Sequence, residues 1–168
     1  MFFVGNKTYV VRVIKLAVLS FIFLVLIITA ISLLIPSHIR ISKAINLPPP
    51  KDSIFALIKD PKRWPQWHPA FMKKHTSDSL PPINVIQEAI SDSEVIFSIR
   101  QQNHRPIING WRVYQYPSTD SVTLQWYMDF HMSWYPWQKF GSLFYENTYG
   151  VMMEQGLSDL KTLRTSNQ

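Results

Sequence analysis

The chain has 168 residues, of which 46% are hydrophobic and 17% are charged, so it can bury a core and global disorder is excluded. It contains no cysteine, which excludes disulfides, thiolate metal sites and cysteine nucleophiles. Part of the net charge of +6 comes from three basic residues near the amino terminus, and the other charges are interspersed. We therefore expect no nucleic-acid partner, because nucleic-acid-binding proteins normally present a concentrated basic face.

The first predicted element is a transmembrane helix over residues 16–35, preceded by a basic flank over residues 1–15. The segment LAVLSFIFLVLIITAISLLI carries no charge. A helix rises about 1.5 Å per residue, so about 20 residues cross a hydrocarbon core of about 30 Å. The alternatives are a buried core helix and a cleaved signal peptide. The apolar run is longer than the usual apolar region of a signal peptide, which favours a retained anchor in the lipid bilayer.

The charges around this segment predict its orientation. Lys7, Arg12 and Lys15 precede it, whereas Arg40 and Lys43 follow it. Cytoplasmic flanks carry an excess of basic residues, so we expect a cytoplasmic amino terminus and an extracytoplasmic domain.

The next predicted elements are a strand and a short helix. From His38 the sequence alternates, and its apolar side chains fall on one face at Ile39, Ile41, Ile45 and Leu47. Lys43 interrupts that face. Three prolines, residues 48–50, end the strand and lead into a helix that stops at Asp60-Pro61.

The rest of the chain predicts strands followed by a long helix. After the segment DPKRWPQWHPAF (residues 60–71) and a polar loop (residues 77–82), four strand-like runs cover residues 83–90, 94–102, 108–116 and 121–131. Their short connections indicate an antiparallel sheet. A helical pattern then covers residues 139–163, with a kink or close packing expected at Gly150 and Gly156. This order predicts an α+β domain over residues 38–163 and a tail over residues 164–168.

The stretch IRISKAINLPPPKDSIFALIKDPKRWPQWHPAF and the later GLSDLK resemble the SRPBCC superfamily, also called START-like or helix-grip. The nearest subgroup is the polyketide cyclase/dehydrase-like proteins of bacteria. The residues that match the motifs are Asp60, Pro61, Trp64, Trp67, Pro69, Gly156, Leu157, Leu160 and Lys161. The resemblance implies a curved antiparallel sheet around a long C-terminal helix. It also implies that Trp64, Trp67, Pro69 and Gly156 are structural, with the two tryptophans anchoring a bent second helix.

The resemblance further implies an interior cavity that binds a small hydrophobic or amphipathic ligand, with no cofactor, no metal and no assured catalysis. Four predicted strands after the helices are fewer than fuller members of the family have, which implies a smaller cavity. The candidate ligand-binding residues are Arg112, Tyr114, Tyr116, Trp126, Met128, Phe130 and Phe144. For Arg112, a surface cation is the alternative.

Two other functions stay open from the sequence. A cyclase- or hydrolase-like enzyme would use cavity groups such as Arg112, Tyr114 or His131. A structural or interaction module would instead fill its interior with its own side chains, using methionines such as Met128, Met132, Met152 and Met153 as filler.

Two further segments have competing interpretations. Asp129 and His131 share a strand face and could form a proton-transfer pair, but the alternation favours an outward, solvated position for both. Trp134, Tyr135 and Trp137 surround Pro136. These aromatic side chains could contact lipid headgroups, form the mouth of the cavity, or pack in the core.

Overall fold

The computed structural model describes residues 4–72, 84–100, 105–117 and 120–166. The predicted polar loop over residues 77–82 lies outside them. The helices are α1 (Val4–Leu34), α2 (Lys51–Lys59), α3 (Pro136–Ser142) and α4 (Val151–Ser166), with short 3₁₀ helices at Pro61–Gln66 and Pro69–Phe71 and a π-helical turn at Glu146–Gly150. The strands are β1 (His38–Leu47), β2 (Asn84–Ile90), β3 (Glu94–Arg100), β4 (Ile107–Gln115) and β5 (Val122–His131).

Within the described residues, these strands form one antiparallel sheet in the order β1-β5-β4-β3-β2. The register of β1 against β5 runs from His38 opposite His131 to Leu47 opposite Val122. Alternate side chains point to opposite faces of a strand, so Trp111 on β4 and Trp126 on β5, which are cross-strand partners, share the inner face. The prediction of an α+β helix-grip fold is confirmed.

The C-terminal helix packs on the inner face of this sheet through buried Met153, Leu157 and Leu160. Lys43, which interrupts the apolar face of β1, contributes to this packing. Its Nζ lies 2.7 Å from a carboxylate oxygen of Glu146 and 2.7 Å from one of Glu154. The apparent defect in the strand pattern is therefore an ion pair between sheet and helix.

The predicted helix over residues 139–163 is real but interrupted. It begins earlier, as α3 at Pro136, and reaches α4 through turns and the π-helical segment that ends at Gly150. A Cβ on Gly150 would lie 3.1 Å from Cε of Lys43, so the helix passes very close to β1 at this point. The predicted irregularity at Gly150 is confirmed.

Helix α1 is longer than the predicted transmembrane segment. Residues Tyr9–Leu34 form one helix that is long and apolar enough to cross a membrane, and its side chains are almost all exposed. Because α1 begins at Val4, Arg12 and Lys15 of the basic flank are helical. The helix ends at Leu34, just before Pro36, as proline requires.

Candidate functional site

A group of aromatic rings, all buried except the partly buried Phe71, occupies the interior between the sheet and the helices. We call this group the interior cluster, and its members are Trp64, Trp67, His68, Phe71, Phe97, Trp111 and Trp126. Neighbouring ring centroids within it are 4.8–6.5 Å apart, mostly in edge-to-face or tilted arrangements. Such arrangements are favourable for aromatic pairs beyond the area they bury. The four tryptophans are completely buried.

The proline-rich segment, residues 60–71, contributes four of these rings. The side chain of Asp60 accepts a hydrogen bond from the backbone N–H of Lys62 and caps the first 3₁₀ helix. The indole of Trp64 donates to the carbonyl of Ile58 at 2.8 Å, and that of Trp67 donates to the carbonyl of Leu57 at 3.4 Å. Trp64 and Trp67 thus tie the first 3₁₀ helix and the residue after it to the end of α2, while their rings pack in the core.

Gly156 and Pro69 bring the C-terminal helix onto the cluster. A Cβ on Gly156 would lie 2.8 Å from Cζ3 of Trp126 and 2.9 Å from Cδ of Pro69. Only a residue without a side chain permits this approach, so Gly156 is the position at which α4 touches the rings of the sheet and of the proline-rich segment.

Three polar atoms inside or beside the cluster are buried and have no hydrogen-bond partner among the residues that the structure describes. They are Nε2 of His68, Nδ2 of Asn109 and Nε1 of Trp111. Asn109 lies two residues before Trp111 on the inner face of β4, and its Oδ1 accepts a bond of 3.3 Å from the indole of Trp126. The His68 ring lies 4.8 Å from that of Trp126 and 6.5 Å from that of Trp111.

All three of these atoms are hydrogen-bond donors. The indole N–H and the amide NH₂ can only donate. Nδ1 of His68 accepts a bond of 3.3 Å from the backbone N–H of Ala70, so the proton of the neutral imidazole resides on Nε2. Burial lowers the pKa of His68 to about 3, which keeps the ring neutral at pH 7. Among the described residues, the interior therefore contains three buried donors without an acceptor.

The outer face of the sheet carries a separate polar network. The Arg40 guanidinium donates to both carboxylate oxygens of Asp129 at 2.6 and 2.7 Å. Glu94 accepts from Arg112 at 2.6 and 3.1 Å and from the hydroxyl of Tyr127 at 2.8 Å. The hydrogen bond from Arg40 lowers the pKa of Asp129, while burial and the neighbouring Glu94 raise the pKa of Tyr127 to about 12. Every charged group named here has an opposite partner, so the network stabilises the sheet surface.

The predicted ligand-binding residues do not all lie on the inner face of the sheet. Trp126, Met128 and Phe130 alternate on the buried inner face of β5. Arg112 and Tyr114 lie on the outer face, because their strand register points Trp111 and Val113 inward. Tyr116 is 58% exposed and Phe144 is 66% exposed. The expectation that Arg112, Tyr114, Tyr116 and Phe144 line the interior is therefore corrected.

Asp129 and His131 face outward, as the alternation predicts, but only His131 is solvated. Asp129 is buried beneath Arg40 and is 7% exposed. The expectation of two solvated side chains is corrected for Asp129, because a cross-strand arginine covers it. Among the described residues, no group of three His, Asp or Glu side chains is placed to hold a metal ion.

The Arg40–Asp129 pair can be tested by a double-mutant cycle with Arg40→Gln, Asp129→Asn and the double variant. Both bonds to the carboxylate are short and Asp129 is covered, so we expect a coupling of about 1 kcal/mol in the free energy of unfolding. Denaturant unfolding followed by near-ultraviolet circular dichroism measures it. Additive single effects would show that solvent screens the pair completely.

Sequence reasoning missed His68 and Asn109. The available signal for Asn109 is alternation: once Trp111 is placed inward, Asn109 two residues earlier must also point inward. For His68 the signal is its place between Trp67 and Pro69, which makes it the capping residue of the short helix that follows.

Comparison with known proteins gives a result at the level of fold. No family model matches the chain, and no curated protein matches it. Among solved structures, a START superfamily protein from Mycobacterium smegmatis is similar with a TM-score of 0.57 and 14% identity, over 78% of this chain and 99% of that one. The di-domain ARO/CYC StfQ of the steffimycin biosynthetic pathway is similar with a TM-score of 0.56 and 8% identity. That match covers 77% of this chain and 51% of StfQ, so this chain spans about half of the di-domain protein.

A third similar structure is an uncharacterized protein from Bacillus thuringiensis, with a TM-score of 0.52 and 13% identity, over 76% of this chain and 99% of that one. Identities this low show a shared architecture and no shared activity. The residues that follow α1 thus share the helix-grip fold of these structures, a curved antiparallel sheet around a long C-terminal helix.

Proposed function

We propose that this protein is a membrane-tethered binding module that holds a small amphipathic molecule against the interior cluster. The observation that carries the proposal is the set of three buried donors, on His68, Asn109 and Trp111, with no acceptor among the described residues. A buried donor without a partner costs about 1–3 kcal/mol, so three of them favour any acceptor that can enter.

The chemistry around the donors indicates the class of ligand. An oxygen acceptor, such as a carbonyl or carboxylate, would bond to the donors, and an apolar or aromatic body would contact the rings of Trp64 and Trp126. Ligand sites of this kind are mostly apolar with a few convergent polar groups. The rings are closely packed, so the ligand is small or displaces a ring when it binds.

In this proposal α1 supplies the tether. It is long and apolar enough to span a bilayer, and only a short segment separates its end at Leu34 from β1 at His38. The domain therefore stays at the membrane surface, on the extracytoplasmic side if the basic residues of the amino terminus remain in the cytoplasm. A ligand that partitions between membrane and water fits this location.

A cyclase-like enzyme is the alternative that similarity to StfQ suggests. Acid–base catalysis needs at least one group that exchanges a proton near neutral pH. The described part of the interior cluster contributes one ionisable side chain, His68, and its lowered pKa makes it a neutral donor. Binding is therefore better supported than catalysis.

The other alternative is a ligand-free module whose interior is filled by its own side chains. The close contacts between the rings are the observation in its favour.

Native mass spectrometry of the full chain, released gently from detergent micelles, tests the proposal. We expect a bound small molecule in the wild-type protein. Trp111→Phe removes an indole N–H that has no partner among the described residues, so it should weaken ligand retention roughly three- to tenfold, as the loss of one hydrogen bond predicts.

Trp67→Phe is the matched control. It makes the same change in size at a completely buried ring, but the N–H it removes already bonds to Leu57. We expect this variant to lose stability without losing the ligand. A wild-type protein that is strictly free of ligand would contradict the proposal and favour the ligand-free module. Equal ligand loss in both variants would do the same.

A further inference from the structure

Three aromatic side chains that follow β5 contact one another and are exposed to solvent. Trp134 is 62% exposed, Tyr135 is 37% exposed and Trp137 is 68% exposed. The ring of Tyr135 lies 4.9 Å from that of Trp134 and 4.7 Å from that of Trp137. We call these residues the aromatic surface. Leu143 and Phe144, which follow α3, are also exposed.

The aromatic surface lies beside the end of α1. The backbone N–H of Met132 donates to the carbonyl of Ser37, and α3 packs against α1. Lys139 of α3 fixes this contact, because its Nζ donates to the carbonyl of Ile35 and to the hydroxyl of Ser37, each at 2.6 Å. Lys139 is only 3% exposed.

The contact between Lys139 and the end of α1 is electrostatically favourable. The last carbonyls of a helix have no partner within the helix and carry partial negative charge. A buried ammonium bound to the carbonyl just after α1 therefore joins the domain to the helix terminus. The aromatic surface is held near the point at which the apolar segment of the chain ends.

We propose that Trp134, Tyr135 and Trp137 insert into the headgroup region of the bilayer that α1 crosses. The inference rests on the proposed membrane span. Tryptophan and tyrosine are enriched at membrane interfaces because their rings are apolar and their tips form hydrogen bonds. The three side chains of the aromatic surface have this amphipathic character, and Lys139 holds them near the end of the proposed span, where the headgroup region would lie.

The insertion also defines how the domain stands on the membrane. His38 and His131 mark the ends of β1 and β5 nearest α1, and the π-helical turn and α4 pack against β1. At the other end, Arg164 donates to the carbonyl of Pro49, just beyond β1. Two attachments, α1 and the aromatic surface, would hold the domain in one orientation, whereas α1 alone would allow rotation.

Fluorescence quenching of the full chain in phosphatidylcholine nanodiscs, with and without brominated acyl chains, tests the proposal. Four of the six tryptophans, Trp64, Trp67, Trp111 and Trp126, are completely buried in the domain. We expect brominated lipid to quench the wild-type emission, and we expect most of that quenching to be lost in Trp134→Phe/Trp137→Phe, which removes both reporters and keeps aromatic rings at both positions.

Ile90→Trp, made in that double variant, provides a matched exposed reporter. Ile90 is 42% exposed and lies on β2, the edge strand furthest from β1. Through the strand register it is level with Lys43, so it lies roughly 15 Å further along the strands than His38, which marks the end of the sheet nearest α1. We expect its emission to stay unquenched. An unchanged far-ultraviolet circular dichroism spectrum and an unchanged unfolding midpoint would establish that each variant is folded.

The outcomes separate the two proposals. If the chain enters nanodiscs but quenching is equal with and without Trp134 and Trp137, the proposed insertion of the aromatic surface is wrong, while the proposed membrane span of α1 still holds. Quenching of the Ile90→Trp reporter also overturns the insertion, because it requires a different orientation. Wild-type emission that depends on protein concentration and not on brominated lipid assigns the aromatic surface to a second copy of the chain. A chain that fails to enter nanodiscs overturns the span and the insertion together.

Discussion

Replacement of Gly156 by alanine should destabilise the domain by about 1–2 kcal/mol, and replacement by valine should destabilise it further. A new Cβ at this position would lie less than 3 Å from the completely buried Trp126 and from Cδ of Pro69, whose ring is fixed to its own backbone. Overpacking of this kind costs about 1–3 kcal/mol, which exceeds the gain of up to about 1 kcal/mol that alanine brings to a helix. Denaturant unfolding of the full chain in micelles measures the difference.

Gly141→Ala is the matched control. Gly141 lies in α3, and a Cβ there would have no atom within 4 Å among the described residues. The helix-propensity gain is then unopposed, so we expect this variant to be more stable by up to about 1 kcal/mol. The two substitutions should have opposite signs. A stabilising Gly156→Ala would contradict the close contact between α4 and the sheet.

Stability should also fall as the pH is lowered from neutral. His68 has a pKa of about 3 in the folded protein, below the 6.5 of an unperturbed histidine, because burial disfavours its charged form. Between these values the unfolded chain binds a proton that the folded protein does not, so its contribution is complete above pH 6.5 and decreases towards pH 3. From pH 7.5 to pH 5 the expected loss is about 2 kcal/mol.

His68→Phe should remove most of that pH dependence, since it keeps a ring in the interior cluster and removes the titrating group. His131→Gln, at an exposed histidine, should keep the wild-type dependence. Unfolding free energies at a series of pH values between 7.5 and 5 distinguish the variants. If His68→Phe retains the wild-type slope, then His68 is not the buried group that titrates.

The candidate site shows why sequence reasoning identified only part of it. The pattern of β5 correctly grouped Trp126, Met128 and Phe130 on one face. It could not say which face of β4 joined them, because Arg112 and Trp111 sit on alternating positions and either could point inward. The register of β4 against β5 decided the matter, and it placed Asn109 and Trp111 inside. His68 could not be assigned, since its partners come from distant strands.

The sequence by itself determined the elements and the apolar helix at the amino terminus, because periodicity, prolines and glycines act within a few residues. Its glycines also predicted a kink or close packing in the last helix, while the structure identified the contacted residues as Lys43 at Gly150 and Trp126 and Pro69 at Gly156. Only the tertiary structure decided that Lys43 pairs with the C-terminal helix, that Arg40 covers Asp129, and that Lys139 joins the domain to the end of α1. Each of these contacts joins residues from different elements, and their energies depend on burial and distance, which local sequence does not specify.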